Sequence, residues 1–255
     1  MKKHENGFTL VELLVVIGIL GILAGALFPA ISSAMLKATM TAVQSKGRNI
    51  YMAIISANTD RAALSLANVW PRTKKVEGEN TSDDIASKNY NNSTDYFWDL
   101  YDGENVGSDD HQPVADDFNL SMLSGAGVTA NPGTQKLTDI YNMWTIAANV
   151  RDEIDDIVPV LVTRNFPCNQ LYIKIDGKPD TTRIKATEIG KEYANPFGNK
   201  GFVMIRKGGG TLSMKTRDAR PNVIYQGQSF DATTESTEID PFCYLDPKKK
   251  VDPKQ

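Results

Sequence analysis

Glu12 is the residue in this chain whose surroundings most need a chemical explanation. It sits between Val11 and Leu13, at the head of a run of about 24 residues, Leu13–Leu36, that carries no charge and is mostly large and aliphatic. An ionised carboxylate at the edge of hydrocarbon is unfavourable, so such a residue is by default functional and has a partner to be found. The alternative is a side chain that snorkels to the interface. Other reactive types are sparse. His4 lies in the basic head and His111 is the only histidine beyond it. No H-E-x-x-H, C-x-x-C or G-x-S-x-G occurs, so no catalytic residues and no metal ligands are assigned. Cys168 and Cys243 are too few for a disulfide-dense scaffold or a four-cysteine zinc site. Either they form one bridge closing a long loop, which needs Cα atoms within about 7 Å, or they are buried free thiols. Lys207-Gly208-Gly209-Gly210-Thr211 lacks the phosphate-loop spacing and no helix follows it, so it reads as a hairpin turn.

Composition sets the frame for these residues. The chain has 255 residues, 41% hydrophobic and 23% charged, which is a folded protein with room for one domain and an appendage. A net charge of −3 offers no broad basic field for nucleic acid. The apolar run is long enough for one bilayer-crossing helix, and Lys2 and Lys3 ahead of it predict a cytoplasmic N-terminus. Three readings compete for it: a cleaved signal peptide, with Ala24-Gly25-Ala26 as the cleavage site; a plain anchor; or a segment retained and used in two environments. Glu12 favours the third, because neither a signal peptide nor a plain anchor has a use for it.

The stretch Gly7-Phe8-Thr9-Leu10-Val11-Glu12-Leu13-Leu14-Val15-Val16 resembles the N-terminal signature of type IV pilins and type II secretion pseudopilins. A short basic leader ending in Gly, then Phe, Thr, Leu and a fifth-residue Glu are all in register, and Pro29 sits where many members have a proline. The match covers roughly residues 1–60. The resemblance implies that a prepilin peptidase cuts between Gly7 and Phe8 and methylates the new Phe8 amine. It also implies that Glu12 pairs with the Phe8 amine of a neighbouring subunit, which removes the cost of burying either charge alone and fixes the axial register. Gly25 and Pro29 mark a place for local unwinding on extraction into a filament. The implied localisation is a single pass of the bacterial inner membrane before assembly, and a surface or periplasmic filament afterwards. The implied partners are copies of the chain, other pilins, the peptidase and an assembly platform; DNA or host-surface binding is left open.

The rest of the chain supplies what would carry such a segment. Leu36, Met40, Val43, Gly47, Ile50, Ile54 and Ala57 recur every three or four residues, so the helix continues past the membrane with one apolar face, reaching about 75 Å from Phe8. Short helices are predicted near Ser82–Ser87, Ser93–Tyr101 and Asp116–Leu123, and a longer one over Leu137–Ile154. Strands are predicted at Val158–Thr163, Gln170–Ile175, Gly201–Ile205, Thr211–Met214 and Asn222–Tyr225, followed by a frayed lysine-rich tail. The expected fold is α+β and pilin-like: a long protruding N-terminal helix packed on a C-terminal antiparallel sheet, with a helical and loop insertion between. The expected boundaries are a leader at 1–7, a transmembrane and filament-core helix at 8–36, and its amphipathic half at 37–60. The insertion follows at 61–155, the sheet at 156–228, and a C-terminal loop and tail at 229–255. Acidic loops at Asp109, Asp110, Asp116 and Asp117, and at Glu235, Glu238, Asp240 and Asp246, have hard oxygen ligands. Major pseudopilins use a calcium site in a head loop, but EF-hand spacing is missing here and solvated loops are the simpler reading, so no cofactor is assigned. The function expected is structural, as the subunit of a type IV pilus-like filament. The alternatives are a type II secretion pseudopilin and, in another class, a signal-anchored exported binding domain.

Overall fold

The computed structural model describes residues 9–73, 85–102, 113–133, 135–172, 183–186, 194–228, 242–248 and 250–251. Helix α1 runs unbroken over Leu10–Ala63, through both Gly25 and Pro29. The chain divides into two units at Thr39/Met40, in the middle of this helix. In the first, leucine and alanine favour helix and the segment Leu13–Leu36 carries no charge. Ser32 and Thr39 donate their hydroxyls to the carbonyls of Phe28 (3.1 Å) and Met35 (2.9 Å), so the helix satisfies its own polar groups. Its large side chains are exposed, Ile22 at 75% and Phe28 at 73%. A built Cβ on Gly18, Gly21 or Gly25 meets nothing within 4 Å. The helix is long and apolar enough to cross a membrane.

In the second unit one stripe of α1, Met40, Val43, Gly47, Ile50, Ala53, Ile54 and Ala57, is buried. It lies on a six-stranded, wholly antiparallel sheet: β1 Trp144–Ala148, β2 Pro159–Thr163, β3 Gly201–Arg206, β4 Thr211–Lys215, β5 Cys243–Leu245 and β6 Lys250–Val251. The spatial order is β4-β3-β2-β1-β5-β6, a four-strand meander with β5 returning to the free side of β1. Alternation along the strands turns Trp144, Ile146, Leu161 and Ile205 toward α1, where Trp144 and Ile205 border Gly47. Thr145, Ala147, Phe202 and Met204 face the other way, under Phe166, Leu171 and Tyr225. The turn after β3 is the predicted hairpin, closed by Arg206 N–H to Gly210 O at 2.7 Å, with Gly209 in the left-handed region at φ +76°.

Helix α2, Ser93–Asp102, matches its prediction. It starts at Asn92, whose Oδ1 accepts from Asp95 N–H (2.8 Å), and it buries Tyr96, Phe97 and Leu100. Its first turn is clasped to the sheet. Ser93 Oγ donates to Trp144 O, and the fully buried Asn142 amide donates to Ser93 Oγ and Thr94 Oγ1 while accepting from Trp144 N–H.

Several expectations are corrected. Leu137–Ile154 is not a helix but a 3-10 turn, Asp139–Tyr141, followed by the central strand β1. All five residues of β1 are buried, so it shows no two-residue alternation, and its apolar positions also fit a helical period. The sheet is therefore not confined to 156–228: it takes β1 from the supposed insertion and β5 and β6 from the supposed tail. Gln170–Ile175 gives no strand where it is described; Cys168–Tyr172 is a 3-10 helix. Asn222–Tyr225 is instead a short helix α3, Pro221–Ile224, opened by Pro221 in its first turn. Of Asp116–Leu123 only Leu120–Leu123 is helical, and of Ser82–Ser87 the described part Ile85–Ser87 is a 3-10 turn.

Candidate functional site

The chemistry-bearing end of α1 is built from two side chains. Thr9 N–H and Thr9 Oγ1 both donate to Glu12 Oε2, at 2.9 and 2.7 Å, and Glu12 N–H donates back to Thr9 Oγ1 at 3.3 Å. This is a capping box, in which two otherwise orphaned backbone amides are satisfied reciprocally. Its signature, T-x-x-E directly before an apolar run, was readable in the sequence and was missed there. A carboxylate in the first turn also matches the positive end of the helix dipole. Both bonds from Thr9 go to one oxygen. Among the described residues, Glu12 Oε1 has no hydrogen bond. The carboxylate therefore holds its own helix end with one oxygen and presents the other, together with its charge, outward. Gly7 and Phe8, the predicted processing pair, lie outside the described residues.

The remaining candidates are not brought together. Cys168 and Cys243 are both buried thiols, and no disulfide joins them. The bridge is not made because the two thiols lie on opposite faces of the sheet. Cys243 stands opposite Ala148, on the side of α1, whereas Cys168 lies beside Thr145 on the far side. Burial, reinforced by the nearby Asp246 carboxylate, pushes the Cys168 thiol well above its ordinary range, only partly offset by the Thr145 hydroxyl, so it is an inert core thiol. Asp246 is itself committed, accepting from Thr145 Oγ1 at 2.6 Å. Asp116 and Asp117 are exposed. Asp109, Asp110, His111, Glu235, Glu238 and Asp240 lie outside the described residues. Among the described residues no three His, Cys, Asp or Glu side chains come together as a metal site. Gly25 and Pro29 are helical, so any unwinding there belongs to another state.

Residues 2–28 match the family model described as the prokaryotic N-terminal methylation motif. The match takes in the basic head, the Gly7-Phe8 junction, Glu12 and the helix as far as Phe28. No protein of curated function and no solved structure matches the chain. The chain thus carries the prepilin signature of type IV pilins and pseudopilins, on a long N-terminal helix followed by an antiparallel sheet. That motif points to a membrane-anchored precursor of a structural subunit rather than an enzyme.

Proposed function

We propose that the chain is a structural subunit of a bacterial type IV pilus-like filament. It is held in the inner membrane with its N-terminus in the cytoplasm, cut between Gly7 and Phe8, methylated on Phe8, and assembled through α1. The observation that carries this reading is Glu12, the single carboxylate at the head of the charge-free, exposed segment Leu13–Leu36 of α1, with one oxygen closing its own cap and the other turned outward. Cleavage creates an ammonium group at the positive end of the helix dipole, where a cation is disfavoured unless an anion is near. The outward oxygen of Glu12 on a neighbouring subunit supplies that anion, and each pair fixes how far one helix is displaced along the next. Exposed leucine, isoleucine and phenylalanine side chains that meet lipid in the precursor meet other helices in the filament. Gly18, Gly21 and Gly25, with open space beside them, allow close approach.

Mass spectrometry of the mature protein tests the processing step: the terminus should be Phe8, carrying a methyl group. A terminus at Leu27 would restore the signal-peptide reading. Electron microscopy and immunoblotting of cells making Glu12→Ala test the pairing: processed subunit should remain and filaments should become rare. Normal filament numbers would remove Glu12 from assembly. Where the wild-type filaments lie, on the surface or within the periplasm, separates a pilus from a secretion pseudopilus.

A further inference from the structure

The second unit is electrostatically polar along the direction of α1. Met40 lies against Gly201 at the start of β3, and Tyr51 lies against Gly209 beyond its end, so helix and strand run the same way and define two ends of the sheet. At the Met40 end, three stretches are stitched together by backbone bonds: Thr216 N–H to Lys200 O and Ile184 N–H to Ala219 O. They carry Arg183, Lys185, Lys200, Lys215, Arg217 and Arg220. Among the described residues of these stretches the one carboxylate is Asp218, already 3.5 Å from Arg217. At the opposite end the β1–β2 loop carries Asp152, Glu153, Asp155 and Asp156, all exposed. Lys207 holds that loop in shape from beneath. Its Nζ donates to Asp152 O (2.8 Å) and Ile154 O (2.7 Å) and lies 3.7 Å from Asp156.

Both clusters are unexpected on a chain whose net charge is only −3. They cannot neutralise each other within one molecule. Six residues of β3 separate them, roughly 20 Å of strand, and exposed charges are screened over about 8–10 Å. Two copies can bring them together, provided the acidic end of one meets the basic end of the next. A two-fold pairing would set like against like, whereas end-to-end pairing leaves both terminal patches open and propagates.

We infer that the Arg183–Arg220 basic cluster is the docking surface for the Asp152–Asp156 loop of a second copy of this chain. The contact is a repeating head-to-tail junction along the assembly. It rests on the reading of the chain as a filament subunit and adds a second source of register, independent of Glu12. Because both patches are exposed, the junction should be strengthened by low salt and loosened by high salt.

A charge swap in the full chain, produced in its own bacterium, tests this. Asp152→Lys with Glu153→Lys, and separately Lys185→Glu with Arg217→Glu, should each lower sheared filament yield about tenfold. The four changes together should restore it to within about threefold of wild type. Chains carrying Glu153→Cys and Arg217→Cys together should give a ladder of multimers on oxidation, and either change alone should not. If wild-type chains build no filaments, the reading as a subunit fails and this junction falls with it. If wild-type filaments form but the reversals leave them intact, or the four-fold swap restores nothing and no ladder appears, the junction alone is wrong. A basic-end reversal that lowers binding to phosphatidylglycerol-containing vesicles, without rescue by the acidic-end reversal, would assign that end to a lipid surface instead.

Discussion

Gly47 is a point where α1 packs tightly on the sheet, and replacing it gives the sharpest test of the packing described above. A Cβ at this position would lie 2.7 Å from Trp144 Cη2 and 3.0 Å from Ile205 Cδ1 and Cγ1. Carbon atoms pack comfortably at about 3.5–4.0 Å, so the indole would have to retreat by about 1 Å. It has little freedom to do so: Trp144 is fully buried and its Nε1–H donates to Met122 O at 3.0 Å. Overpacking of this kind costs about 1–3 kcal/mol. Against it stands the helix preference of alanine over glycine, about 0.8–1.0 kcal/mol. The net for Gly47→Ala is a loss of about 1 kcal/mol. Gly47→Val adds two methyl groups and gives back less helix preference, for a loss of about 3 kcal/mol. For a folded unit of this size those losses lower Tm by about 2–4 °C and 6–12 °C. Thermal unfolding of the detergent-solubilised chain, followed by near-ultraviolet circular dichroism, reads the tryptophan environment directly. Gly21→Ala is the control, since its Cβ meets nothing, and it should leave the transition unmoved. A Gly47→Ala chain more stable than wild type would refute the reasoning, because helix preference would then outweigh a contact that is not tight.

Asn142→Ala should cost about 1–3 kcal/mol in urea unfolding, because it strands the Trp144 amide in the interior and removes the donor bridging Ser93 and Thr94; an unchanged midpoint would mean that the clasp is not strained by its loss. Cys168 should resist maleimide in the native chain and react once urea unfolds it. Since its folded pKa lies above the unfolded value, the native state keeps a proton that the unfolded state releases. Its contribution to stability is complete below about pH 9 and declines above it, by no more than about 1.4 kcal/mol per pH unit; Cys168→Ala should flatten that limb, and a stability rising with pH there would contradict it. A chain beginning at Ala34 keeps every buried residue of α1 and should be soluble and cooperatively folded by light scattering and calorimetry; aggregation would place the apolar segment in the head's own core. Glu12→Gln keeps an oxygen for the Thr9 cap but turns an amide NH₂ toward the neighbour's amine, so filaments should be nearly as rare as with Glu12→Ala while helix content is unchanged.

What could be read from the sequence follows from how locally each element is determined. The two regimes of α1 were legible because the charge-free run and the buried stripe are both written into contiguous residues. β2, β3 and β4 were legible because β-branched runs end at Gly or Pro and pair through short connections. β1 was not, since burial on both faces removes alternation and leaves Ile140, Met143, Trp144 and Ala147 to mimic a helix. β5 was hidden for a different reason. Three residues, Cys243–Leu245, become a strand only by pairing with Ala148, Ala147 and Ile146, about a hundred positions earlier, and no local pattern encodes that. The stripe placed Gly47 among the apolar positions of α1, but only the indole opposite explains why a Cβ there would be crowded.

The candidate site divides along the same line. Glu12 stood out because a lone carboxylate contradicts its surroundings, and that contradiction is itself local. Its capping of its own helix through Thr9 is equally local and holds the carboxylate in place. The charge polarity of the head was invisible for the opposite reason. Its basic end is assembled from residues near 183, 200 and 217 and its acidic end from the β1–β2 loop, so in sequence the two signs are interspersed and average to a net charge near zero. Only the fold sorts them, because the meander places alternate connections at alternate ends of the sheet: the β1–β2 loop and the β3–β4 turn at one, the approach to β3 and the exit from β4 at the other. A linear count of charge therefore excludes a uniform field but says nothing about a dipole.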